Sequence, residues 1–145
     1  MIKVRQQGMS DCGVACLAMA AGISYEAAKA AFDSAGLAVR RGRKVAYSSN
    51  FRELIDALSV TGVNAKRKRF AGWGCIAGPS IVKTNVDAKG DWHWVVAYLD
   101  AEQGIVLLDP ADDLPCFENP PLDVFYVPLH KYAPAGCYIE LSVRE

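Results

Sequence analysis

Nothing in this sequence is long, apolar and uninterrupted enough to cross a bilayer. The longest apolar stretch, residues 12–23, contains Gly13 and Gly22 and falls far short of the roughly 20 residues a spanning helix needs. The opening "MIKVRQQGMSDCG" turns polar where the apolar centre of a secretory signal would lie, so no export signal is expected. Histidine is scarce, with only His93 and His130. No CxxC pair occurs, and the five cysteines (Cys12, Cys16, Cys75, Cys116, Cys137) are an odd number at irregular spacings. That pattern argues against a zinc site and against a disulfide framework, so a reducing, cytoplasmic compartment is expected, with no metal and no cofactor. Repeats, low-complexity tracts and linkers are missing too. With 145 residues, that predicts a single domain over 1–145.

Net charge is also absent, but only as a sum. From Val39 to Phe70 nine basic residues face two acidic ones, Glu53 and Asp56, so this segment is +7 and the remainder −7. Such asymmetry either steers an acidic partner or reflects two solvated faces that attract each other across the fold. The basic runs "RRGRK" and "KRKRF", with Tyr47 and Phe70 nearby, suggest phosphate contacts. Neutral overall charge and the lack of a recognised binding motif argue against nucleic acid.

What is present is apolar and patterned. An apolar fraction of 52% against 22% charged excludes a disordered chain. The run "SDCGVACLAMAAG" predicts a helix from about Cys12 to Ala21, with Ser10 or Asp11 able to cap its amides and Gly22 to end it. It has no polar face, which places it in the middle of a domain. "SYEAAKAAFDSAG" predicts an amphipathic helix capped by Ser24, with Tyr25, Ala28, Ala31 and Phe32 inward. After a basic surface loop, Asn50 and Glu53 form a capping box for a third helix. Beyond Gly62 the pattern changes to short β-branched and aromatic runs: "VNAKRKRF", "PSIVKTN", "WHWVVAYLD", "GIVLLDP", "VFYVPL" and "CYIELSV". Helices first and strands afterwards is the α+β signature. The turn "AEQG" joins two strands as an antiparallel hairpin.

Cys12 falls in the first turn of the buried helix, where unpaired amides and the helix dipole favour a thiolate. Free cysteine is also among the residues most often buried inertly, the expected role of Cys16 one turn on. A catalytic thiol needs a base. His93 starts a strand and can face a cleft at the end of the sheet, whereas His130 reads as a loop residue. A histidine needs an acceptor in turn. If the hairpin is regular, position 93 faces about 111, so Asp109 falls one or two residues from directly opposite. The amide of Cys12 and a glutamine, Gln6 or Gln7, are candidate oxyanion donors. Trp73, Trp92 and Trp94 either wall the cleft or serve as core and rim aromatics.

These residues match a known pattern. "QQGMSDCGVACLAM" followed by "HWVVAYLDAEQGIVLLDP" resembles the papain-like cysteine peptidases that trim double-glycine leaders from bacteriocin precursors. The resemblance implies a papain-like α+β fold, helices packed on a C-terminal antiparallel sheet, and a peptide or protein substrate. It implies Cys12 as nucleophile, His93 as base and acid, Asp109 as orienting acid, and Gln6 rather than Gln7 as oxyanion donor. Members of that family often precede membrane and ATPase domains, and this sequence, from Met1 to Glu145, carries neither, so a self-standing domain is expected. A relative that keeps the groove only to bind a peptide or protein is the alternative. "RRGRKVAYSS" and "GWGCIAGP" have no assignable counterpart there, and both are candidates for shaping the substrate groove.

Overall fold

A computed structural model of the chain describes residues 1–143. Helices come first: α1 (Cys12–Ala21), α2 (Tyr25–Ser34) and α3 (Phe51–Val60). Strands follow: β1 (Val63–Arg69), β2 (Ser80–Thr84), β3 (His93–Asp100), β4 (Gly104–Leu108), β5 (Cys116–Phe117), β6 (Val127–Pro128) and β7 (Pro134–Val143). None of the helices among the described residues is long and apolar enough to cross a membrane.

Local chemistry explains the helix ends. Gly22 stops α1 in the left-handed region at φ 66°, Ser24 Oγ accepts the Ala27 N–H at the start of α2, and Asn50 and Glu53 close a reciprocal capping box on α3. One expectation fails. Asp11 stands at the N-cap of α1 but makes no side-chain cap; its carboxylate turns backwards to accept the Gln7 and Gly8 N–H groups at 2.8 Å each. The same carboxylate accepts the Tyr25 hydroxyl at 2.6 Å. Two backbone donors of the preceding loop outcompete the helix amides because the loop curls over the helix start.

The strands form one sheet in the order β1-β7-β2-β3-β4-β5-β6. It is antiparallel except at its end, where β5 and β6 pair in parallel, so the sheet is mixed rather than wholly antiparallel as expected. "VFYVPL" supplies only the two-residue β6, and β5 had no signal in the pattern. Both are short because Pro115, Pro120, Pro121 and Pro128 remove the ladder donors longer strands would need. The last strand inserts between β1 and β2, a long-range pairing that no local run announces.

Two apolar layers sandwich the sheet. On one face α1 is buried from Cys12 to Met19, against Phe32, Leu54, Leu58, Ile81, Trp94, Val96 and Ile139. The other face buries Val82, Val95, Leu107, Cys116, Tyr132 and Tyr138 beneath Ile76 and Val127. The segment "GWGCIAGP" covers this second face. Trp73 lies there too, against Phe70 at a ring separation of 5.1 Å, and lines no part of the cleft around Cys12 and His93 described next.

Candidate active site

The hairpin of β3 and β4 brings two of the expected residues together. Its register runs from Asp100↔Gly104 to Val96↔Leu108. Extended by the same pairing, it sets position 93 opposite 111 and Val95 opposite 109. His93 and Asp109 are therefore diagonal neighbours, within reach of long side chains. The turn is tight because Asp100 Oδ1 accepts the Glu102 and Gln103 N–H groups, both at 2.9 Å, and Gly104 takes φ 68°.

His93 Nε2 lies 2.5 Å from Asp109 Oδ1. The Cys12 sulfur lies near the same ring, and its interaction with the imidazole favours the protonated form. Burial disfavours the charged ring, but the hydrogen bond to Asp109, the interaction with Cys12 and the charges of both outweigh it and push the His93 pKa to about 10. Asp109 is 7% exposed. Burial alone would raise its pKa; the His93 hydrogen bond and charge, the Ala111 N–H and the Tyr132 hydroxyl hold it below the usual carboxylate range. Sulfur, imidazole and carboxylate thus lie in one row.

Cys12 and His93 open into a cleft of about 370 Å³ lined also by Met9, Ser49, Trp92 and Trp94. The loop 43–50 forms its opposite wall, so "RRGRKVAYSS" does shape a groove. Trp94 is buried and donates its indole N–H to Ser49 O at 3.2 Å, tying that wall to the sheet. Trp92 stays half-exposed at the rim.

Gln6 arrives on an N-terminal strap laid along the loop after β4. Gln6 N–H donates to Pro110 O at 3.0 Å, and Arg5 pairs with Asp113. The Gln6 side-chain amide donates to Gly8 O at 2.8 Å, which leaves its second hydrogen available. Gln7 is exposed, its backbone held by Asp11. His130 is exposed on a short 3-10 turn, Leu129–Lys131, away from this row.

Three parts of the site were not legible beforehand. Tyr132, buried, donates its hydroxyl to Asp109 Oδ2 at 2.8 Å, and the Ala111 N–H donates to Oδ1 at 2.8 Å. Asp11 and Tyr25 brace the loop that holds Gln6. Tyr132 carries no local signal, because its partner lies 23 residues earlier. Cys16 is fully enclosed and its thiol pKa rises through burial; Cys116, buried near Asp109, is pushed up to about 11.

Comparison with solved structures gives the class to which this architecture belongs. A double-glycine motif protease from an AMS/PCAT transporter, solved with its leader peptide, matches with a TM-score of 0.63 and 17% identity over 99% of this chain and 91% of that one. The peptidase domain of Streptococcus ComA, a bifunctional ABC transporter of a quorum-sensing pathway, matches with a TM-score of 0.63 and 19% identity over 98% of each chain. No family model and no curated protein sequence matches. The chain has the α+β fold of the double-glycine peptidase domains.

Proposed function

We propose that this chain is a cysteine peptidase acting through Cys12, His93 and Asp109, with Gln6 and the Cys12 amide as oxyanion donors. The observation that carries the reading is His93, hydrogen-bonded to Asp109 and sharing the lining of one open cleft with Cys12. The likeness in fold to two peptidase domains supports it.

In this mechanism the Cys12 sulfur attacks the substrate carbonyl and forms an S–C bond. Negative charge moves to the carbonyl oxygen, held by Gln6 and the Cys12 N–H. The tetrahedral species collapses as the C–N bond breaks, and His93 gives its proton to the leaving amine. Water, deprotonated by His93, then attacks the thioester and releases an acid and the thiol. Asp109 keeps the ring oriented and stabilises its charged form. The natural targets are peptide bonds after small residues, such as Gly-Gly, since Trp92 and Trp94 narrow the cleft beside Cys12. Five free cysteines suit work in the cytoplasm.

The test is mass spectrometry of peptides containing Gly-Gly and Gly-Ala junctions, incubated with the wild-type protein and with Cys12→Ala. Cleavage by the first alone is expected. Iodoacetamide at neutral pH should modify Cys12 before Cys75 and Cys137, although those are more exposed. Uniform, sluggish labelling together with intact peptides would favour a binding domain of the same fold.

A further inference from the structure

Three of the nine cations in the basic segment are matched by carboxylates. Arg41 and Lys44 both pair with Glu53, at 3.0 and 3.3 Å, and Lys68 pairs with Glu140 at 3.0 Å. Arg43, Arg67 and Lys83 have no carboxylate partner among the ion pairs of the described residues. Arg43 lines the catalytic cleft. The other two stand on rings: the Arg67 guanidinium lies 4.2 Å from the centre of Phe51, and Lys83 Nζ lies 4.1 Å from that of Trp92 and 6.0 Å from that of Phe51.

Those rings run continuously into the active site. Phe51 lies 6.3 Å from Trp92 and 5.0 Å from Trp94, and Trp92 lies 5.7 Å from Trp94. Trp92 and Trp94 line the cleft with Cys12 and His93. The topology explains the grouping. Arg67 shares the helix-side face of β1 with Val63 and Ala65, Lys83 shares that of β2 with Ile81, and Lys83 pairs in register with Trp94. A shelf of two cations standing on a ring cluster therefore leads out of the cleft, which Arg43 also lines. One carboxylate, Asp91, stands among the cleft residues. The side of Asp109 has the opposite character, with Asp109, Asp112 and Asp113 set against Lys3 and Arg5.

We propose that this shelf is the docking surface for an acidic segment of the substrate peptide, whose Asp or Glu side chains meet Arg67 and Lys83 while the scissile bond lies at Cys12. The proposal rests on the peptidase reading and names the substrate class it acts on. Arg67 offers the planar fork that suits a carboxylate, and the ring beneath it pre-orients the guanidinium. Trp92, the half-exposed ring of the three, accepts an apolar side chain of the same segment, and the buried Phe51 and Trp94 support it from beneath. Because these charges stand at the surface, the preference must weaken as salt screens them over about 10 Å or less. The charge imbalance read from the sequence thus has a local meaning at the cleft.

The experiment uses the full chain carrying Cys12→Ala and two rhodamine-labelled peptides with the same Gly-Gly junction, one with four Glu residues upstream and the other with Gln in their place. Fluorescence anisotropy at low salt should show the acidic peptide binding about tenfold more tightly or better. The advantage should fall below about twofold in 0.5 M salt and in Arg67→Gln/Lys83→Gln. It should persist in Lys66→Gln/Lys131→Gln, which removes equal charge elsewhere. Equal affinity for the two peptides, binding of neither, a preference that survives loss of Arg67 and Lys83, or one lost equally in the control overturns the proposal. So does a salt-sensitive self-association abolished by Arg67→Gln/Lys83→Gln, which would make a second copy the occupant. Parallel cleavage by the wild-type protein separates the two readings. Equal turnover of both peptides removes the shelf and leaves the peptidase, whereas binding without cleavage of any peptide removes the peptidase and leaves the shelf.

Discussion

His93 is the residue on which the site turns, and its ionisation gives a testable sign. Its folded pKa of about 10 lies above the ordinary value of 6.5, so its contribution to stability is complete below about pH 6.5. That contribution is lost as pH rises through about 10. The melting temperature of His93→Gln should therefore trail the wild type most near pH 6 and approach it near pH 10. A gap that widens with pH would contradict the assigned hydrogen bond to Asp109. Gln6→Ala removes one of the two proposed oxyanion donors, such a donor being typically worth roughly 2.7 to 4 kcal/mol, so single-turnover cleavage should slow about a hundred to a thousandfold. Tyr132→Phe leaves Asp109 Oδ2 without its donor in a buried setting, a loss of about 1–3 kcal/mol to unfolding in urea. The same change should lower kcat while leaving KM close to its wild-type value, since Tyr132 acts through Asp109 and does not itself line the cleft.

Among the elements, the β3–β4 hairpin decides whether His93 and Asp109 meet. A side chain at Gly104 would be strained twice, by φ 68° and by a Cβ only 2.2 Å from Glu118 Oε1, the atom that accepts the Ile105 N–H. Gly104→Ala should destabilise the protein by about 1–2 kcal/mol and lower cleavage further than that loss of stability explains, because a slip in the turn displaces His93 relative to Asp109. Urea unfolding and turnover at a temperature where both proteins are folded check this together. The hairpin was legible because two short β-branched and aromatic runs joined by a short Gly-containing turn leave one register. The short strands β5 and β6 were not, since prolines break the run and tertiary contacts supply what local propensity lacks.

Across the whole molecule, the first residues of the chain close over a loop more than a hundred positions later. Arg5 holds Asp113, and the Gln6 backbone holds Pro110, so the proposed oxyanion donor and the proposed triad acid are set by one junction. The strap lies outside the sheet and the helices. Removing residues 1–5 should therefore shift the melting temperature little and reduce kcat/KM by roughly a hundredfold, the scale at which misplacing a catalytic group by an ångström acts. An unchanged rate would show that Gln6 is positioned by Asp11 and Gly8 alone.

By itself the sequence determined whatever depends on near neighbours. The caps at Ser24 and Asn50, the stop at Gly22, the apolar face of α1 and the hairpin pairing are all written within a few residues, where sterics and hydrogen bonding leave few choices. It also carried the chemical types of the site, since a thiol at a helix start and a histidine and an acid sixteen positions apart across a turn are short-range facts. Only the tertiary structure decided that β7 lies between β1 and β2, that Tyr132 finds Asp109, that Asp11 turns away from its own helix, and that Trp94 walls the cleft while Trp73 covers the opposite face. Those outcomes follow from which distant surfaces can be buried together while leaving few polar groups unpaired, a condition set by the packed whole and invisible in any one stretch of chain.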